Sequence, residues 1–127
     1  MKRATEYFVG LGWSVKNVSS HKSFDLLCER KGRELRVEVK GTTGYGHEIL
    51  LTRNEVEHAL SRPSKVALFI LSEITLKTRN RKPIAVGGVE KIFHPWKLSR
   101  SRLQPRVYSL AITSSSSRKL RRSSRSE

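Results

Sequence analysis

Between Phe24 and Lys40 two strand-like runs meet at a tight turn, and the rest of the chain must be arranged around them. Residues 34–40 alternate without a break, Leu35, Val37 and Val39 on one side and Glu34, Arg36, Glu38 and Lys40 on the other, the pattern of a half-buried strand. Phe24 to Glu29 is its partner, joined through Arg30-Lys31-Gly32-Arg33. A two-residue turn at Lys31-Gly32 sets Glu29 opposite Glu34, Cys28 opposite Leu35 and Leu26 opposite Val37. Asp25 then faces Glu38. Opposed carboxylates about 5 Å apart repel by about 3 kcal/mol at an effective dielectric of about 20. A divalent cation between them turns that repulsion into coordination, and Lys40 leans over the same spot. A bulge near Gly32 would shift Asp25 by one place and weaken the pairing.

The surrounding charge points to a polyanion. The 127 residues carry 26 Lys and Arg against 11 Asp and Glu, a net +15. Without the last fourteen, which hold five basic and one acidic side chain, 21 remain against 10, so the body itself is basic. Nucleic acid is the expected partner, DNA first with RNA left open. The single cysteine, Cys28, excludes an intrachain disulfide and a cysteine-based zinc cluster, and it reads as a core thiol. His21, His47, His58 and His94 have no metal-ligand spacing, and no nucleophile elbow is present. With no signal peptide and no run of eighteen apolar residues, the expectation is a soluble intracellular protein without a membrane partner, at the nucleoid if DNA is its substrate.

In chain order, Ala4, Tyr7, Phe8 and Leu11 predict a short helix stopped by Gly10 and Gly12, and Trp13 to Val18 predicts a strand. After the hairpin, Gly41-Thr42-Thr43-Gly44-Tyr45-Gly46-His47 is either a flexible connector or a loop letting backbone approach a phosphate while Tyr45 or His47 touches sugar or base. Thr52-Arg53-Asn54-Glu55 is a capping box opening a helix to about Ser61, which accounts for Thr52 and Glu55 structurally, although a helix start there also suits a phosphate. Lys65 to Ile74 reads as a central strand covered on both faces. Leu76 to Pro83 reads as a basic loop in which Lys77, Arg79, Arg81 and Lys82 can meet a nucleic-acid backbone. Trp96 reads as a packing anchor, and Val107 to Ile112 as a last strand. One domain over 1–112 and a disordered Ser/Arg-rich tail over 113–127 are expected.

The order helix, strand, hairpin with Asp25 and then Glu38-Val39-Lys40, helix, strand resembles the PD-(D/E)XK, or restriction-endonuclease-like, nuclease superfamily. Gly12-Trp13-Ser14-Val15, Phe24-Asp25-Leu26, Val37-Glu38-Val39-Lys40-Gly41-Thr42, Leu51-Thr52-Arg53-Asn54-Glu55 and Gly87-Gly88 with Pro95-Trp96 resemble, more narrowly, its NO VEIN C-terminal domain family. The resemblance implies an α/β fold, α-β-β-β-α-β plus C-terminal strands, with a central mixed sheet flanked by helices. It implies a Mg2+- or Mn2+-dependent endodeoxyribonuclease in which Asp25, Glu38 and the Val39 carbonyl hold the metal and Lys40 activates water. Its alternative is an inactive nuclease fold that binds nucleic acid. Phe24 stands where the motif has proline, and the first helix starts at Met1, later than in similar sequences. The acid which that helix often supplies therefore has only Glu6 as a substitute, about 140° off the apolar stripe. A paired second chain or a separate domain supplying specificity remains open.

Overall fold

The computed structural model describes residues 1–62, 64–106 and 110–112. Helix α1 (Lys2–Gly10) leads into β1 (Ser14–Asn17), β2 (Leu26–Arg30) and β3 (Arg33–Gly41), then α2 (Arg53–Ser61) and β4 (Val66–Ser72). The strands β5 (Thr75–Arg79), β6 (Lys82–Val86) and β7 (Val89–Phe93) follow. A five-stranded sheet has the order β1-β2-β3-β4-β7, and β5 and β6 form a separate two-stranded ribbon. Among the described strands only the β3–β4 pair is parallel, so the main sheet is mixed, as expected.

The β2–β3 register is the one the turn dictates: Leu26 opposite Val37, Cys28 opposite Leu35, Glu29 opposite Glu34. Lys31 and Gly32 have φ of 49° and 75°, the left-handed pair that a tight hairpin needs. The ladder, however, ends at Leu26, one residue short of Asp25. The Asp25 N–H also donates to the Val37 carbonyl (3.0 Å), so Asp25 and Leu26 both lie against Val37 in the manner of a β-bulge. Asp25 is therefore not squarely opposite Glu38, contrary to the simple register.

The alternation of β4 explains why it sits centrally. Ala67 and Phe69 join Leu26, Cys28, Leu35 and Val37 beneath Ala4 and Phe8 of α1. Val66, Leu68 and Ile70 face the other way, against Ala59 of α2 and Trp96. Both faces of β4 are dry, and Trp96 is the packing anchor expected of it. Cys28 is fully buried in the α1-side core, where burial pushes its thiol up to about 11. Leu11 departs from its expected place: it lies beyond the last turn of α1 and is 47% exposed.

Two further expectations change. Leu76 to Pro83 is not a loop, because the strands β5 and β6 pair across a turn at Asn80 and Arg81, with φ of 52° and 62°. Of the strand expected over Val107–Ile112, residues 107–109 lie outside the described residues and 110–112 have no regular structure; the tail also lies outside them, Ile112 being the last residue described.

Gly88 has φ of 105°, and a Cβ there would stand 2.9 Å from Leu71 Cγ and Cδ1 and 3.1 Å from the Ser72 carbonyl oxygen. Gly10 closes α1 with open space around it. Gly88→Ala is expected to cost on the order of 2 kcal/mol and Gly10→Ala to gain up to about 1 kcal/mol, read as opposite shifts of the urea midpoint.

Candidate functional site

Alternation puts Glu38 and Lys40 on the α2 face of β3, and the bulge turns the Asp25 carboxylate toward the same strand. Phe24, 6% exposed, stacks on His58 of α2 (centroids 4.9 Å, planes at 19°), and the Arg36 guanidinium lies 5.0 Å from the Phe24 ring centre with its Nη1 3.1 Å from His58 Nε2. That three-residue cluster fixes the backbone before Asp25. Asp25 Oδ2 then accepts from the Val39 N–H at 2.8 Å. The Val39 amide, not its carbonyl, is what meets this carboxylate.

Glu38 is 3% exposed. Burial, the neighbouring Glu55 carboxylate and Asp25 together push its carboxyl up to about 9, so in this arrangement it holds its proton at neutral pH. Lys40 Nζ lies 3.7 Å from Glu38 Oε1 and donates to both oxygens of Glu55, at 2.9 and 3.1 Å. Burial opposes ionisation of Glu55, yet hydrogen bonds from Glu38, the Thr52 backbone and Lys40 outweigh it and hold Glu55 down at about 2.

Glu55 is the residue that the sequence pattern left out of the site. Its capping box is real, with Thr52 Oγ1 accepting from the Glu55 N–H (3.2 Å) and Thr52 N–H donating to Glu55 Oε1 (2.8 Å). The same oxygen also takes Lys40. One signal was available: the capping box opens a helix directly after the loop that leaves Lys40.

The remaining candidates divide. Glu6 takes no part in the cluster, since its exposed carboxylate pairs with Lys2 at 4.0 Å. Thr42 is a structural residue: its N–H donates to the Leu71 carbonyl (2.9 Å) and its hydroxyl accepts from the Gly44 N–H (3.1 Å). The loop it opens is no loose connector. The Gly44 carbonyl accepts from the Glu73 N–H (2.8 Å), Lys91 Nζ donates to the Tyr45 carbonyl, and a Cβ on Gly46 would lie 3.0 Å from Ser72 Cβ. On this pinned backbone Tyr45 is 69% exposed and stacked with His47 (5.9 Å, 23°). Thr52 and Arg53 are exposed at the start of α2, Arg53 paired with Glu57 at 3.0 Å. Lys77, Arg79, Arg81 and Lys82 are all exposed on the ribbon.

Among the described residues, no group of three or more His, Cys, Asp or Glu side chains stands in a metal-holding arrangement. Mg2+ asks for less, one or two carboxylates with waters completing its shell. Asp25 and Glu38 supply that donor type, and a Glu38 carboxyl crowded by two others is one that a dication would relieve. The residues fit a hard cation in chemistry.

A carboxyl whose native pKa is above its unfolded value stabilises the fold below the unfolded value and loses that contribution as pH rises toward the native one. For Glu38 the window runs from about 4.5 to about 9. In EDTA, unfolding free energy is expected to fall between pH 5.5 and 8.5 by at least about 1 kcal/mol, and Glu38→Gln to remove that slope. Urea titrations at the two pH values measure it.

Residues 1–86 of the 127 match the family described as Protein NO VEIN, C-terminal. No curated protein and no solved structure matches the chain. The matched span runs from α1 through β6 and contains Asp25, Glu38, Lys40 and Glu55. The chain belongs to the NO VEIN C-terminal family.

Proposed function

We propose that this domain is a Mg2+-dependent nuclease that hydrolyses DNA phosphodiester bonds. The observation that carries the reading is the convergence of Asp25, Glu38 and Lys40 on one sheet face, in a chain of net charge +15. The order of elements, with its Asp and Glu-x-Lys on a hairpin, also resembles the PD-(D/E)XK nucleases. Asp25 and Glu38 would hold the cation, which when bound supplies a Lewis acid for the phosphoryl oxygens and a water of lowered pKa.

The chain's own residues do the positioning. Asp25 is locked by the Val39 amide, so its carboxylate has one orientation. Glu38 must give up its proton to serve as a ligand, which the burial of this carboxyl resists until positive charge arrives. Lys40 carries three donors, and its ammonium can orient and polarise a water beside Glu38. Glu55 holds the Lys40 ammonium over Glu38.

A second reading, nucleic-acid binding without hydrolysis, has a specific observation in its favour. The Lys40 ammonium is engaged by both oxygens of Glu55 while Glu38 is almost sealed. Incubation of supercoiled plasmid with Mg2+ or Mn2+ separates the two. The nuclease reading expects nicking by the wild type and a loss of at least about 100-fold in Lys40→Ala, the scale of a lost general acid–base or electrostatic group. Equal cleavage by both proteins would refute the assignment of Lys40. Salt-sensitive binding by the wild type with no cleavage, unchanged in Asp25→Asn, would establish the second reading.

A further inference from the structure

The β5–β6 ribbon has properties that the candidate site does not use. Every residue from Thr75 to Ala85 is exposed, so neither face of the ribbon packs on the described body. Its pairing sets Lys77 opposite Ile84 and Arg79 opposite Lys82. Alternation therefore gathers Lys77, Arg79 and Lys82 on one face, and Arg81 stands in the turn between the strands. The segment from Ile74 to Val89 contains no acidic residue. Among the described residues none of the four cations is in an ion pair. An element that spends two strands to display unpaired cations away from the core is built for an external polyanion.

Its root lies beside the candidate site. Gly41, next to Lys40, pairs with Leu71 near the end of β4, and the ribbon starts three residues after Ser72. The Ile74 N–H donates to the Thr42 carbonyl at 3.2 Å, and a Cβ on Gly41 would touch Ile74 Cδ1 at 3.3 Å. Five residues per strand give an arm about 17 Å long. The major groove of B-form DNA admits a two-stranded ribbon, whereas that of an A-form RNA helix is too narrow for side chains to read.

We infer that the β5–β6 ribbon is a groove-binding arm that holds duplex DNA next to the candidate site through Lys77, Arg79 and Lys82. It rests on the reading of the chain as a DNA-acting domain and adds duplex B-form DNA as the ligand class. The test is fluorescence anisotropy of a labelled duplex from 50 to 200 mM salt, in EDTA so that nothing is cut. The full chain is compared with the triple variant Lys77→Ala, Arg79→Ala, Lys82→Ala. A control triple, Arg33→Ala, Arg62→Ala, Lys65→Ala, removes equal charge at the opposite end of β3 and β4.

Each phosphate that the protein no longer neutralises lowers the salt slope by about 0.9, so the ribbon triple is expected to fall by between about two and three units of slope and at least roughly tenfold in affinity. The control triple should fall by less than about one unit, and duplex RNA should show no difference between wild type and the ribbon triple. Matching reductions in the two triples, or an equal reduction on duplex RNA, overturn the arm while leaving a DNA-acting domain in place. A wild type that binds no DNA at 50 mM salt removes both. Because all three ribbon side chains are exposed, an unchanged urea midpoint shows that the fold is intact.

Discussion

The structure depends on a carboxyl group buried in the middle of a sheet. Glu38 is flanked along β3 by Val37 and Val39 and pairs across to Leu68 of β4, positions that an apolar side chain would fill at no electrostatic cost. Two more carboxylates approach it, and the strain is resolved by a proton on Glu38 and by the ammonium of Lys40. Removing one partner from such a buried set leaves an uncompensated charge, which is why the elements delivering these groups are held so firmly. The Asp25 bulge, the cluster of Phe24, His58 and Arg36, and the capping box of α2 all serve that end.

The two faces of the sheet divide the work. The α1 face has an apolar centre and gives stability, with Phe8, Phe69 and Val37 fully buried. The α2 face is apolar along β4, where Val66, Leu68 and Ile70 pack with Ala59 and Trp96. On the neighbouring β3 it is polar, with Glu38 and Lys40 paired across to Leu68 and Ile70 and Glu55 reaching Lys40, toward the end where the parallel β3 and β4 finish together. A parallel pair brings its crossover helix back over the sheet, so the start of α2 arrives at that shared end without further cause.

Much of this was legible in the chain, and the exceptions have local reasons. The hairpin register followed from Lys31-Gly32 and strict alternation, because a two-residue turn leaves one pairing that buries Leu35 and Val37 together. The bulge at Asp25 had no glycine to announce it; it arises where β2 leaves the ladder and the Val18 N–H donates to the Asp25 carbonyl. Glu55 was missed because a complete explanation as a capping residue was already in hand, and one oxygen performs both tasks. The ribbon was hidden by its charge: Thr75 to Arg79 and Lys82 to Val86 alternate only weakly in polarity, since neither face is buried. Asn80 is a residue type that tolerates left-handed φ, but Arg81 stands after it where a glycine would have marked the turn.

Cys28 gives the molecule one more property. Its thiol is wholly enclosed between α1 and the sheet and keeps its proton up to about 11, so a reagent that attacks thiolates finds neither access nor nucleophile in the folded chain. Labelling must wait for α1 to lift or for the whole sheet to come apart. The rate at which a single sulfur is modified thus becomes a clock for spontaneous opening of the core, already installed and needing no engineered probe.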